Sequence, residues 1–252
     1  VLLVGHVTKD GSIAGPRVLE HLVDVVIQVE GDRHSRLRLV RAVKNRYGPT
    51  DEIGCFDLSD VGIVGLPDPS GLFTSDRDLS VPGTCMTVTV EGRRPLLAEV
   101  QSLVAPTTLA QPRRATSGLD AARVQMIIAV LDRRAGAKVA PFDTFVSTVG
   151  GVRLSEPAAD LAIALALASA SADQPLYPRL MAVGEVGLSG DIRPVVSMAR
   201  RLSEGARLGL THAIVPRGTL GSLTVPDSLR VFEAADLPSA MRAALRQAGP
   251  SD

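Results

Sequence analysis

Five consecutive residues, Lys44-Asn45-Arg46-Tyr47-Gly48, place two cations on either side of an amide and follow them with an aromatic ring and a glycine. Paired cations can neutralise the charge that develops on a phosphoryl group in transfer. The same spacing also describes a solvated strand end that runs into a turn. Upstream, His6 follows a short apolar run, and Thr8, Lys9 and Arg17 border or occupy the glycine-rich stretch Lys9-Asp10-Gly11-Ser12-Ile13-Ala14-Gly15-Pro16. A lone histidine at a strand end is on its own an ordinary capped turn. Hydrolysis of a nucleotide needs more, usually a GxxxxGK[ST] loop whose amides cradle the phosphates. None of the lysines Lys9, Lys44 and Lys138 follows a glycine, so no such loop is present and the chain is expected to be inactive on nucleotides by itself.

The bulk properties bound what these residues can serve. With 252 residues and 45% hydrophobic content the chain can bury one large core or two modest ones. Net charge is +0 at pH 7, so nucleic acid would have to be met by a local patch rather than by a global field. Cys55 and Cys85 stand in separate segments with no CxxC pair and no zinc spacing, a usage that fits a reducing cytoplasm. The longest apolar run, Leu161 to Ala168, is far short of the roughly 20 residues that cross a bilayer, and no membrane contact is expected. Val1-Leu2-Leu3-Val4 reads as a buried strand already under way, with no charged region of a signal peptide before it, and implies further sequence upstream.

The elements that must position the motif are strand-like: Val1 to Val4, Val23 to Val29 and Leu37 to Val43, with a short helix over Arg17 to Leu22. Composition turns to Gly, Pro, Ser and Asp between Val61 and Asp76, which predicts a domain boundary near residue 78. Beyond it, Met86 to Val90 and Pro95 to Val104 form a hairpin about Glu91-Gly92. A linker of Pro106, Pro112 and Arg113-Arg114 leads to Ser117, the expected N-cap of a helix ended by Gly136. Phe142 to Val149 alternates as a strand, and Ser155 caps a helix from Glu156 to about Ser171 that is apolar enough to be buried nearly all round. A second hairpin about Ser189-Gly190-Asp191, a basic helix from Ser197 to Leu208 and a strand Ala213 to Val215 follow. Two α/β domains are the economical reading.

Lys44 to Gly48, with Tyr in the aromatic place, resembles the signature of the bacterial RadA (Sms) family of recombination-repair ATPases. Gly5-His6-Val7-Thr8-Lys9 and Ile13 through His21 are similar to the same family's motor segment in order and separation. The resemblance implies the C-terminal portion of such a protein: the end of a RecA-like ATPase core over residues 1 to 78, without its phosphate loop. It implies a hexameric ring that uses ATP and Mg2+, in which Lys44 and Arg46 reach a neighbouring subunit's nucleotide and His6 senses the phosphate. Thr8, Lys9 and Arg17 would then meet single-stranded DNA, the ring repeating a thin patch around its channel. A zinc module would lie upstream, and this chain would bind no cofactor alone. Recombination intermediates, a recombinase or the replicative helicase machinery are the implied partners, in the nucleoid-associated cytoplasm, and branch migration of recombination intermediates is the implied activity.

Residues 79 to 252 resemble the Lon-protease-like α+β domain, akin to ribosomal S5 domain 2, at Glu156-Pro157-Ala158-Ala159-Asp160 and from Gly184-Glu185-Val186 through Arg193-Pro194-Val195. Lon-type proteases keep a nucleophilic serine and a base lysine at the positions held here by Ala158 and Ala199. Neither alanine can attack or take a proton. Ser155 and Ser197 lie nearby, but the one lysine of this part, Lys138, is in a different segment. A serine peptidase remains the alternative from another class, and a non-enzymatic oligomerisation or DNA-docking scaffold is a third. Arg113, Arg114, Arg123, Arg133, Arg134, Arg193, Arg200, Arg201 and Arg207 are candidates for basic faces, and Glu185 for a buried or interface acid.

Overall fold

The computed structural model describes residues 1–5, 22–31, 36–50, 52–60, 62–66, 81–149 and 152–245. His6, Thr8, Lys9, Arg17, the helix expected over Arg17 to Leu22 and the boundary near residue 78 lie outside or at the margin of these residues. The chain divides into two compact units, Val1–Pro67 with Gly92–Arg94, and Asp68–Glu91 with Pro95–Asp252. It is α/β, the class implied by the sequence, and its larger sheet contains parallel pairs.

Unit 1 holds a four-stranded antiparallel meander, β1 (Val25–Glu30), β2 (Leu37–Asn45), β3 (Ile53–Ser59) and β4 (Gly62–Gly65). Alternating side chains divide each strand between two faces, and Leu37, Ile53 and Cys55 supply its buried positions. A register shift between Val26 and Ile27 marks a bulge in β1. Val1–Val4 form no strand and are exposed, contrary to the sequence expectation. An apolar run becomes a strand only where a neighbour takes up its amides and carbonyls, and none of the described strands pairs with this one.

Unit 2 is built on a seven-stranded sheet. Its strands are β5 (Thr84–Glu91), β6 (Arg94–Ala105), β7 (Arg114–Ser117), β8 (Asp143–Thr148), β9 (Leu180–Ala182), β12 (His212–Pro216) and β13 (Arg230–Ala234), in the order β13-β12-β9-β5-β6-β8-β7. A separate two-stranded ribbon pairs β10 (Glu185–Val186) with β11 (Ile192–Arg193). Four helices accompany them: α1 (Ala121–Val130), α2 (Asp160–Ala172), α3 (Met198–Arg207) and α4 (Leu237–Ala244). Central β5 is buried from Cys85 to Thr89, with α2 and α3 both packed on it. Met86, Val88, Leu97, Met181, Val183, Met198, Leu202, Ala213 and Val215 belong to one apolar cluster.

Helix α2 matches its composition, since all ten residues from Asp160 to Ser169 are buried. Two caps differ from expectation. Asp120, not Ser117, caps α1 by accepting from the Arg123 amide at 2.9 Å, because Ser117 is taken up by β7. Ser155 does not cap α2 either: Glu156 precedes a 3-10 turn over Pro157–Ala159, and its carboxylate is turned inward. Gly136 does end its helical segment, at φ 70.

Gly83 enters β5 at φ +87, and a Cβ there would lie 2.2 Å from the Ser102 carbonyl oxygen. Gly136 shares the positive φ but has open space around it. Gly83→Ala is therefore expected to cost more than Gly136→Ala, which carries only the backbone strain of about 1 kcal/mol. Urea midpoints of the two variants read the difference, and equal midpoints would refute the clash.

Candidate functional site

The Lys44–Gly48 motif closes β2 against β1, with Lys44 opposite Val26 and Asn45 opposite Val25. Beyond the ladder the chain turns, and Asn45 makes the turn. Its Oδ1 accepts from the Tyr47 amide at 3.0 Å and its Nδ2 donates to the Pro49 carbonyl at 3.3 Å. An Asn side chain that bonds its own backbone two residues on stands in for a peptide group and fixes the bend. The flanking cations are both held by the segment before β1. Lys44 Nζ donates to the Val23 carbonyl at 2.7 Å, and Arg46 Nη1 lies 3.2 Å from Asp24 Oδ1. Arg46 and Asp24 have side chains 63% and 51% exposed. A pair that exposed contributes about 0–1 kcal/mol, so a phosphate can take the guanidinium over at little cost. Tyr47 is 80% exposed beside it.

Unit 2 holds two acids that the sequence did not single out as ionic centres. Glu156 Oε1 and Oε2 each accept from Arg201 at 2.7 Å, and Oε1 also accepts from Thr89 Oγ1 at 2.7 Å and the Val90 amide at 2.9 Å. Arg201 is fully buried and donates further to the carbonyls of Val88 and Val196. Burial alone would raise the Glu156 pKa, but the donors from Arg201, Thr89 and Val90 hold it below the ordinary glutamate value. The second acid, Asp160, is almost completely buried and accepts from Arg123 at both oxygens and from the Val186 amide at 3.1 Å. Loss of hydration dominates there and pushes its carboxyl up, whereas the more exposed Arg123 keeps its water and is held charged by Asp160. Glu185, half-buried, stands 3.8 Å from the same guanidinium.

Arg201 is thus removed from the candidate basic faces. Its position is readable, because Met198 and Gly205, one turn to either side on α3, and adjacent Leu202 are the other buried residues of that helix. Arg114 is also committed, donating to the carbonyls of Ala140 and Phe142 and to Thr144 Oγ1. Arg193 and Arg207 remain exposed in local pairs with Asp191 and Glu204.

Ala158 and Ala199 occupy unlike surroundings. Ala158 is 3% exposed within the apolar cluster, and its carbonyl accepts from the Gly184 amide at 2.9 Å. Ala199 is exposed on α3. Ser155 and Ser197 are exposed, and neither side chain has a hydrogen-bond partner among the described residues. Cys55 and Cys85 are both buried free thiols, each in its own unit, and burial pushes both pKa values up. Among the described residues no three His, Cys, Asp or Glu side chains gather to hold a metal. No helix among them is long and apolar enough to cross a membrane.

The chain is 55% identical over 242 residues to the DNA repair protein RadA of Mycolicibacterium smegmatis, covering 96% of this chain and 51% of that protein. Identity to the RadA of Streptococcus pneumoniae is 47%, over 92% of this chain and 55% of the relative. The RadA of Bacillus subtilis is 42% identical over 97% and 54%. The chain belongs to the RadA family. It spans about half the length of the curated relatives it matches. Residues 148–219 also match a family described as subunit ChlI of Mg-chelatase. That stretch runs from the end of β8 past β12 and includes Glu156 with its partner Arg201, Asp160 without its partner Arg123, and Ala158 and Ala199. A RecA-like α/β assignment is consistent with both comparisons.

Proposed function

We propose that this RadA-family chain is the cation-donating and docking half of a DNA-dependent ATPase of recombinational repair. The whole protein would form a hexameric ring on single-stranded DNA and promote branch migration of recombination intermediates. The observation that carries the reading is the Lys44–Gly48 turn. Asn45 fixes the backbone, and an exposed Arg46, whose guanidinium is held among the described residues by a solvated pair to Asp24, can reach outward beside Lys44. That arrangement supplies positive charge to phosphates held elsewhere, and the chain has no phosphate loop of its own. ATP and Mg2+ would bring the transferable phosphoryl group and its counter-charge at a neighbouring subunit. In this reading residues 1–78 end the RecA-like core, His6 senses the phosphate, and Thr8, Lys9 and Arg17 serve the DNA-binding loop. The protein would work in the nucleoid-associated cytoplasm beside a recombinase or the replicative helicase, with zinc confined to an upstream module.

Residues 79–252 act in the same proposal as a Lon-like scaffold rather than a peptidase. Ala158 packed into the core and Ala199 on an exposed helix face support it, since neither side chain can act as nucleophile or base. Incubated with casein, the chain is expected to release no fragments; cleavage that Ser155→Ala abolishes would establish the peptidase reading instead. The motor assignment is tested in the full-length protein by Lys44→Ala and Arg46→Ala. Both are expected to lose most DNA-stimulated ATP turnover with the unfolding transition unchanged. Turnover at the wild-type rate in both would overturn it.

A further inference from the structure

An open cavity of about 720 Å3, lined by the start of β5 and by β6, β8 and β7 of unit 2, is used by none of the roles above. Its floor follows from the register. Glu99, Gln101 and Leu103 alternate along β6 and therefore share one face of the sheet. Leu103 stands opposite Phe145 and Gln101 opposite Ser147 on β8, and Phe145 and Ser147 pair in turn with Ala115 and Ser117 on β7. Among the described residues no helix covers these side chains: Leu103 is 61% exposed and Phe145 39%.

Glu99 sets the chemistry. It is 4% exposed and lines the cavity, yet the only side-chain donor to its carboxylate among the described residues is Gln101 Nε2, at 2.7 Å to Oε1. Asp160, which is buried, and Glu156, which is partly buried, each hold an arginine. A carboxylate so far from water is costly without a cation, and no lysine or arginine is among the described residues that line the cavity.

The geometry points to a docking site for an arginine side chain presented by a partner polypeptide. The guanidinium would donate to Glu99, its aliphatic stem would run over Gln101 towards Leu103, and an apolar residue flanking the arginine would cover Leu103 and the Phe145 opposite it. Charge decides against nucleic acid as the occupant. A cavity whose single charged liner among the described residues is an acid repels phosphates. The site is separate from the Lys44–Gly48 turn, so its failure would leave the motor assignment untouched.

The test uses the isotopically labelled 252-residue chain and the blocked peptide acetyl-Leu-Arg-Leu-amide, with its citrulline analogue as the neutral isostere. Saturable amide shifts are expected at Gln101, Leu103, Phe145 and Ser147 with the arginine peptide. Binding should be about tenfold weaker with citrulline, and about tenfold weaker to Glu99→Gln, the loss of one charge-assisted hydrogen bond. Phe145→Ala, at a position 39% exposed, should weaken the arginine peptide severalfold with the unfolding transition checked alongside. Equal affinity for arginine and citrulline, no shifts at millimolar peptide, or stronger shifts at these residues from an oligothymidylate would each overturn the proposal.

Discussion

Glu156→Ala is expected to destabilise unit 2 by about 3–5 kcal/mol, the usual cost of leaving a buried charge without its partner. The residue left behind is Arg201, whose side chain is fully buried and keeps only the carbonyls of Val88 and Val196. Thr89 Oγ1 and the Val90 amide lose an acceptor in the same step. Removing both charges should behave differently: Glu156→Leu with Arg201→Met replaces the pair by apolar volume beside Met198 and Leu202, and is expected to recover most of the loss. Urea unfolding of the two variants separates a buried pair from an exposed one, and a loss below about 1 kcal/mol in Glu156→Ala would mean that water reaches Arg201. The pH dependence follows from the depressed pKa of Glu156. The unfolded chain binds the proton more tightly than the folded one, so this contribution is complete above the unfolded value of about 4.3 and fades as pH falls through the lower folded value. The wild type should lose stability over that acid window, and Glu156→Gln should lose less of it.

The ionic framework explains why some features were legible in the sequence and others were not. Helix α2 could be read because burial on every side leaves a single signature, an unbroken apolar run after a proline. Gly136 and Gly209 were readable stops, since both adopt the positive φ that glycine tolerates. Ser117 misled because a good capping residue can equally end a strand, and pairing with β8 decided which. Val1–Val4 misled because a strand is a property of a pair. The Lys44–Gly48 turn was visible as a pattern, but its restraint by Val23 and Asp24 was not, because those contacts depend on where β1 begins. Arg201 was grouped with surface arginines although its helical spacing placed it inward, and only the inward turn of Glu156 shows why an arginine is stable there. Glu99 gave no signal at all, lying between apolar neighbours in a strand buried for most of its length.

Mixing two inactive full-length variants is expected to restore ATP turnover, and the size of the recovery identifies where Lys44 and Arg46 act. One variant carries Arg46→Ala and keeps the phosphate loop that the proposed motor requires, and the other keeps Arg46 but has that loop's lysine replaced. In a ring that joins subunits head to tail, each nucleotide site takes its loop from one subunit and its cation from the next. At equal amounts and with random assembly, about one interface in four joins an intact loop to an intact Arg46, so about a quarter of wild-type turnover should return when interfaces work independently. If Arg46 served the nucleotide of its own subunit, no subunit in the mixture would hold both groups, and turnover would stay at the level of the single variants. The exposure of Arg46 and its weak tie to Asp24 make the first outcome the expected one, because a guanidinium that must cross to another subunit has to leave its resting partner cheaply. Asp24→Asn supplies the matching control: it removes the resting partner without touching the turn fixed by Asn45, and should leave turnover in the mixture undiminished.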